Sequence, residues 1–236
     1  DDTGAANYQG AIEDAENELG AYNYALVEPA VDLGLHFQQK DQHAQAVDTL
    51  ERALHVNRVN KGLHHLDHIP IVDLLVESHL RLGDWQNAAQ QQQLRFWIHK
   101  REIQGAGEDI NEPALNRFVE AAIHYANWQS KAHRFDTGRF PLQQLREAQN
   151  ALNDARALMH SRNMLHDHQY LALLNTAAVN HYNMVVYLSS NEVDPVTGSY
   201  TGDQDISDYL LRQNIINENY QKGTAALRQV SELTAS

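Results

Sequence analysis

Not one of the 236 residues is cysteine, which excludes disulfides, thiolate metal sites, covalently attached haem and a cysteine nucleophile. Basic residues are scarce as well: 18 Lys and Arg face 31 Asp and Glu, a formal net charge of −13 that repels nucleic acid and anionic lipid. No apolar run reaches the roughly 18 residues that a membrane-spanning helix needs. Nucleophile elbows, phosphate-cradling glycine loops and dinucleotide fingerprints are missing too, so the chain carries no recognisable catalytic or cofactor motif, and the expectation is a protein that is not an enzyme and needs no cofactor.

What is present is helix. Only five prolines and twelve glycines interrupt the chain, and between them apolar residues recur at three- and four-residue spacing. With 42% hydrophobic residues there is enough apolar surface for a continuous core. Compared with itself at an offset of 42, the chain aligns Gly20 with Gly62, Leu33 with Leu75, Ala46 with Ala88, Val47 with Ala89 and Val56 with Ile98. A period of this size means stacked helical hairpins.

Within residues 27–60 the order is Leu33-Gly34, Phe37, a break at Asp41, then Ala46, Leu50, Ala53-Leu54 and Val56. Small residues at Gly34, Ala46 and Ala53 allow two antiparallel helices to approach, while Leu33, Phe37 and Leu50 fill the seam. This order resembles the tetratricopeptide consensus. The second copy keeps Leu75, the turn Gly83-Asp84-Trp85 and Ala88-Ala89, but has Val76, His79, Gln92 and Arg95 where the consensus prefers Gly, an aromatic, a large apolar residue and Ala. Its preceding linker, Gly62-Leu63-His64-His65-Leu66-Asp67, resembles that of the longer kinesin light chain repeats. The segment Ala53-Leu54-His55-Val56-Asn57-Arg58-Val59-Asn60 resembles one in tetratricopeptide proteins exported by many proteobacteria. That likeness implies export and no activity. A start at Asp1-Asp2-Thr3-Gly4 agrees with a removed signal peptide, hence a periplasmic or secreted location, although a trimmed cytoplasmic chain would begin the same way.

Later in the chain the period loosens while the hairpin grammar continues, through helices expected at about 113–132, from Pro141, at about 166–189 and at about 206–234. The last of these, with Tyr209, Leu210, Ile216, Tyr220, Leu227 and Val230, reads as an end cap. The expected fold is therefore all-α, an α-α superhelix of tetratricopeptide type with about nine antiparallel helices forming one solenoid over 1–236. Its parts are a half hairpin at 5–19, repeats at 20–61 and 62–104, and divergent repeats at 105–162 and 163–236.

Fourteen histidines make metal binding worth weighing, and His64, His65, Asp67 and His68 form the densest cluster. No His-Glu-x-x-His pair exists, and the cluster coincides with a repeat linker, so a structural role is the preferred reading. His166 and His168 around Asp167 pose the same choice. The oxygen-rich stretch from Asp194 to Asp205 departs from calcium-loop spacing and reads as an interhelical loop. Arg95 to Arg101 mixes aromatic and basic residues; part of it must pack inward, leaving a solvated cationic edge.

The resemblance also implies a groove, because in tetratricopeptide stacks the first helix of each hairpin lines the concave side at i, i+3, i+7, i+10 and i+11. Carried over, this face contains Glu28, Val31, Leu35, Gln38 and Gln39, then Pro70, Asp73, Glu77, Leu80 and Arg81. It continues with Asn116, Val119, Ile123, Ala126 and Asn127, and with Thr176, Asn180, Asn183 and Met184. Amide side chains both donate and accept, so such a groove can bracket a peptide backbone. The expected function is a scaffold or adaptor for a peptide or partner protein. The alternative is a structural subunit of a homo-oligomeric or larger extracytoplasmic assembly.

Overall fold

The computed structural model describes residues 3–107, 109–132, 141–165, 167–190 and 206–235. Among them are nine α-helices and no strand, so the all-α expectation holds. Chain contacts divide the protein into two compact units, Asp1–Asp109 and Ile110–Ser236.

The first unit contains α1 (Thr3–Leu19), α2 (Val27–Gln39), α3 (His43–Lys61), α4 (Ile69–Arg81) and α5 (Trp85–Ala106). The period of 42 read from sequence recurs in its backbone. Gly20 and Gly62 have φ of +91° and +88°, and Asn23 and His65 each accept a hydrogen bond from the backbone N–H two residues on, at 3.0 and 3.2 Å. Short 3-10 helices follow at Tyr24–Leu26 and Leu66–His68, leading into helices of 13 residues each. Both helices end on a residue in the left-handed region, Asp41 at φ 57° and Gly83 at φ 71°. That turn brings the N–H of Gln42 onto Phe37 O at 2.9 Å and of Asp84 onto His79 O at 2.8 Å, satisfying a terminal carbonyl.

α2 packs on α3 through the residues that carry the consensus: Leu33, Gly34, Phe37, Ala46, Leu50, Ala53 and Leu54 are all buried. The second copy tolerates its departures by local compensation. His79 takes the buried place of Phe37, and its Nδ1 lies 3.3 Å from the carboxylate of Asp84, the residue that also caps α5 through Asn87 N.

The second unit contains α6 (Glu112–Ala132), α7 (Pro141–Ser161), α8 (His168–Ser190) and α9 (Ile206–Ala235). Within it α6 packs on α7 and α8, α7 on α8, and α8 on α9. Phe118, Ala122, Tyr125, Leu145, Ala148, Leu152, Ala155, Tyr170 and Leu173 are buried and form the core of the unit. α9 does not use the whole apolar set that marked it as a cap. Gly223 and Ala226 turn inward and Ile216 is half-buried, while Tyr209, Leu210, Tyr220 and Leu227 are exposed. Close approach at Gly223 explains that rotation, because a Cβ there would lie 3.3 Å from His181 Cβ. His181 Nδ1 and Asn219 Oδ1, 2.8 Å apart, join the two helices beside it. Residues 136–138, the stretch 194–205 and His166 lie outside the described residues.

Candidate functional site

On α4 the positions anticipated for a binding face lie on one exposed side: Pro70, Asp73, Glu77 and Arg81 are exposed and Leu80 is half-buried. On α2, Glu28 and Gln39 are exposed, and Val31 and Leu35 are half-buried. Two members of the set are already engaged. Gln38 Nε2 donates to Leu74 O and to Ser78 Oγ, both at 2.8 Å, so this amide fastens α2 to α4. Asp73 Oδ1 lies 3.1 Å from Nε of Arg95 on α5.

In the second unit the anticipated register is turned. Val119, Ala126, Thr176, Asn180 and Met184 are buried and Asn127 alone of the anticipated positions there is exposed, whereas Glu120 and His124 of α6 and Asn175, Val179 and Tyr182 of α8, each one residue off that set, are exposed. The exposed stripe thus sits one residue away, a rotation of about 100°. The helix entries differ as well. α6 begins from Asn111, which accepts from Ala114 N at 2.9 Å, and α8 from Asp167, which accepts from Gln169 N at 2.7 Å, in place of the Gly-initiated linker and 3-10 turn that lead into α2 and α4. Asn116 and Asn183 are half-buried and Asn127 is exposed. Asn180 belongs to the core, donating to Leu145 O at 2.8 Å and to Gln149 Oε1 at 3.0 Å.

The histidine-rich linker is built as a staple. His64 is exposed, His65 caps the 3-10 turn, and His68 is fully buried with Nε2 donating to Gly62 O at 2.6 Å. Among the described residues no group of three or more His, Asp or Glu side chains is placed to hold a metal ion. His168 is exposed beside Asp167, its Nδ1 3.2 Å from the carboxylate. In the Arg95–Arg101 segment Phe96 packs inward, whereas Trp97 is 38% exposed with Lys100 Nζ 5.2 Å from its ring centroid.

Burial holds the His68 imidazole below its ordinary value of 6.5, the bond to Gly62 opposing and the Arg58 charge assisting. The folded state therefore binds fewer protons at this site than the unfolded chain. Stability from His68 is complete above the unfolded value and is lost as pH falls from about 6.5 toward the folded one. The melting temperature is expected to drop between pH 7 and pH 5. His68→Leu, which installs the residue found one period earlier at Leu26, should flatten that slope.

One feature lay outside the sequence reading. A cleft of about 310 Å³ opens between the first 3-10 turn with α2 and the second with α4, lined by Tyr24, Val27, Glu28, Val31, Asp32, Asn57, Asp67, Pro70 and Ile71. Asn57 is only 1% exposed; its Nδ2 donates to Asp67 O at 3.1 Å and its Oδ1 has no hydrogen-bond partner. The signal available was a polar residue within the buried stripe Ala53, Leu54, Val56, Asn57.

Neither the protein-family models nor the curated proteins give a match to this sequence. Among solved structures the chain is similar to BtubC (BKLC) from P. vanneervenii, at 14% identity and a TM-score of 0.42, over 99% of this chain and 91% of that one.

Proposed function

We propose that this protein is a non-enzymatic binding module that holds an extended segment of another protein along the exposed side of α2 and α4. The observation that carries the proposal is the row Pro70, Asp73, Glu77 and Arg81, spaced at i, i+3, i+7 and i+11 and exposed along the whole of α4, next to Glu28 and Gln39 of α2. Carboxylates that accept and a guanidinium that donates match the alternating groups of an extended backbone. Gln38 supports the reading from beneath. By tying α2 to Leu74 and Ser78 it keeps the two helices in register before any ligand arrives, which lowers the ordering cost of binding. These groups are asked only for hydrogen bonds and charge.

The test is to identify a partner captured from the native source and to measure its affinity for the protein and for the double variant Glu77→Lys, Arg81→Glu. A loss of at least about tenfold, or 1.4 kcal/mol, is expected. Equal affinity for a variant that melts normally overturns the proposal.

A second reading, a structural subunit of a homo-oligomeric or larger assembly, draws support from Val179, Tyr182 and Val186, which leave one side of α8 apolar and exposed, and from exposed Leu210 and Tyr220 on α9. A monomer by light scattering at high concentration counts against it.

A further inference from the structure

We infer that the cleft between the two repeat linkers receives a basic side chain, lysine or arginine, from the bound partner segment. The inference rests on the α2–α4 binding reading and names the chemistry of what is bound. Three carboxylates surround the cleft, Glu28 and Asp32 one helical turn apart on α2 and Asp67 from the opposite linker. Acidic side chains alone would form only a solvated patch. The floor is what distinguishes this one. Asn57, 1% exposed, is among the residues that line it; one arm of its amide is spent on Asp67 O, and the other, Oδ1, is a buried acceptor with no partner. A buried acceptor left without a donor is a desolvation cost, which a donor entering the cleft relieves.

The chain supplies its own analogue of the ligand at the rim. Lys61 Nζ lies 4.8 Å from the centroid of the Tyr24 ring and 3.6 Å from Asp67 Oδ2. An ammonium thus already uses the aromatic face and one carboxylate, the two elements that a cation site needs. Lys61 leaves Glu28, Asp32 and the Asn57 acceptor to a deeper cation. The remaining wall, Val27, Val31, Pro70 and Ile71, is apolar and fits the methylene stem of a long basic side chain. Charge over a longer range agrees: residues 1–40 hold eight acidic residues and one base, Lys40.

The probe is the acetylated, amidated peptide Gly-Ser-Arg-Ser-Gly, titrated into the full chain with the Asn57 side-chain amide followed by NMR. The same peptide with citrulline in place of arginine serves as control. Saturable shifts at Asn57 are expected, with at least tenfold weaker binding of the citrulline peptide and weakening as salt rises. Glu28→Gln with Asp32→Asn should reduce the affinity at least fivefold. Lys61→Met should raise it about threefold, because the competing charge is gone; a merely structural Lys61–Asp67 pair would not produce that gain. Equal binding of both peptides, an unmoved Asn57 amide, an unchanged or weaker Lys61→Met, or tighter binding of putrescine than of the peptide would each overturn the inference. The two readings fail separately. If a captured partner is lost with Glu77→Lys, Arg81→Glu but is indifferent to Glu28→Gln, Asp32→Asn, the cleft assignment falls alone. If the peptide titrates while the partner ignores α4, the face assignment falls.

Discussion

Replacing Gly34 with alanine is expected to destabilise the first unit by about 1–3 kcal/mol, against the usual gain for this change inside a helix. A methyl at Gly34 would sit 2.6 Å from Leu50 Cγ and 2.7 Å from Cδ2. Leu50 has no exposed surface into which to retreat, and Ala46 and Ala53, one turn away on either side of it, are buried as well. Backbone entropy favours alanine by up to about 1 kcal/mol, so the overlap with Leu50 decides the sign. Leu50→Ala alone should cost about 2–5 kcal/mol through the cavity it leaves. The double variant should cost less than the two single changes added, because the new methyl fills part of that cavity. Hydrogen exchange of amides in α2 and α3 reads the effect in the unit where it arises.

Asn180→Asp should be the most damaging single-atom change in the second unit, costing about 3–5 kcal/mol at neutral pH. Asn180 is fully buried, and its Nδ2 donates to two acceptors, Leu145 O and Gln149 Oε1. An ionised carboxylate in that place offers only acceptors to acceptors. A protonated one restores a donor, so the introduced carboxyl would titrate in the fold well above its unfolded value near 3.9. Folding then takes up a proton, and the charge-dependent part of the cost, absent below the unfolded value, is lifted into full effect as pH rises through the folded one. The stability gap between variant and parent, from urea melts, should narrow steadily from pH 7 toward pH 4. A constant gap would mean that Asn180 is held by packing alone. Asn180→Leu, uncharged, should cost less, about 1–3 kcal/mol, at every pH.

These two sites also mark how far the sequence could be read. Gly34, Leu50, Ala46 and Ala53 carry their meaning in spacing, since close helix approach has few solutions, and the structure uses them as expected. The 42-residue offset was legible to the level of individual turns, because Gly20 and Gly62, or Asp41 and Gly83, occupy conformations that few residues tolerate. Polar residues were harder. Asn180, Gln38 and Asn127 are alike as letters, yet one is core, one fastens two helices and one is exposed. Which of these an amide becomes depends on helix phase, and the entrances at Asn111 and Asp167 do not repeat the linker that leads into α2 and α4. The α4 face was legible because its entrance does repeat. The linker cleft was not, because it brings together Asp32, Asn57 and Asp67 from three separate segments.

The most direct test of the central claim is where a bound segment lies. Hydrogen exchange of the full chain, with and without a captured partner's segment, should show new protection in residues 27–39 and 69–81, from α2 and α4. Protection confined to 168–190 and 206–235, with α2 and α4 unchanged, would contradict it.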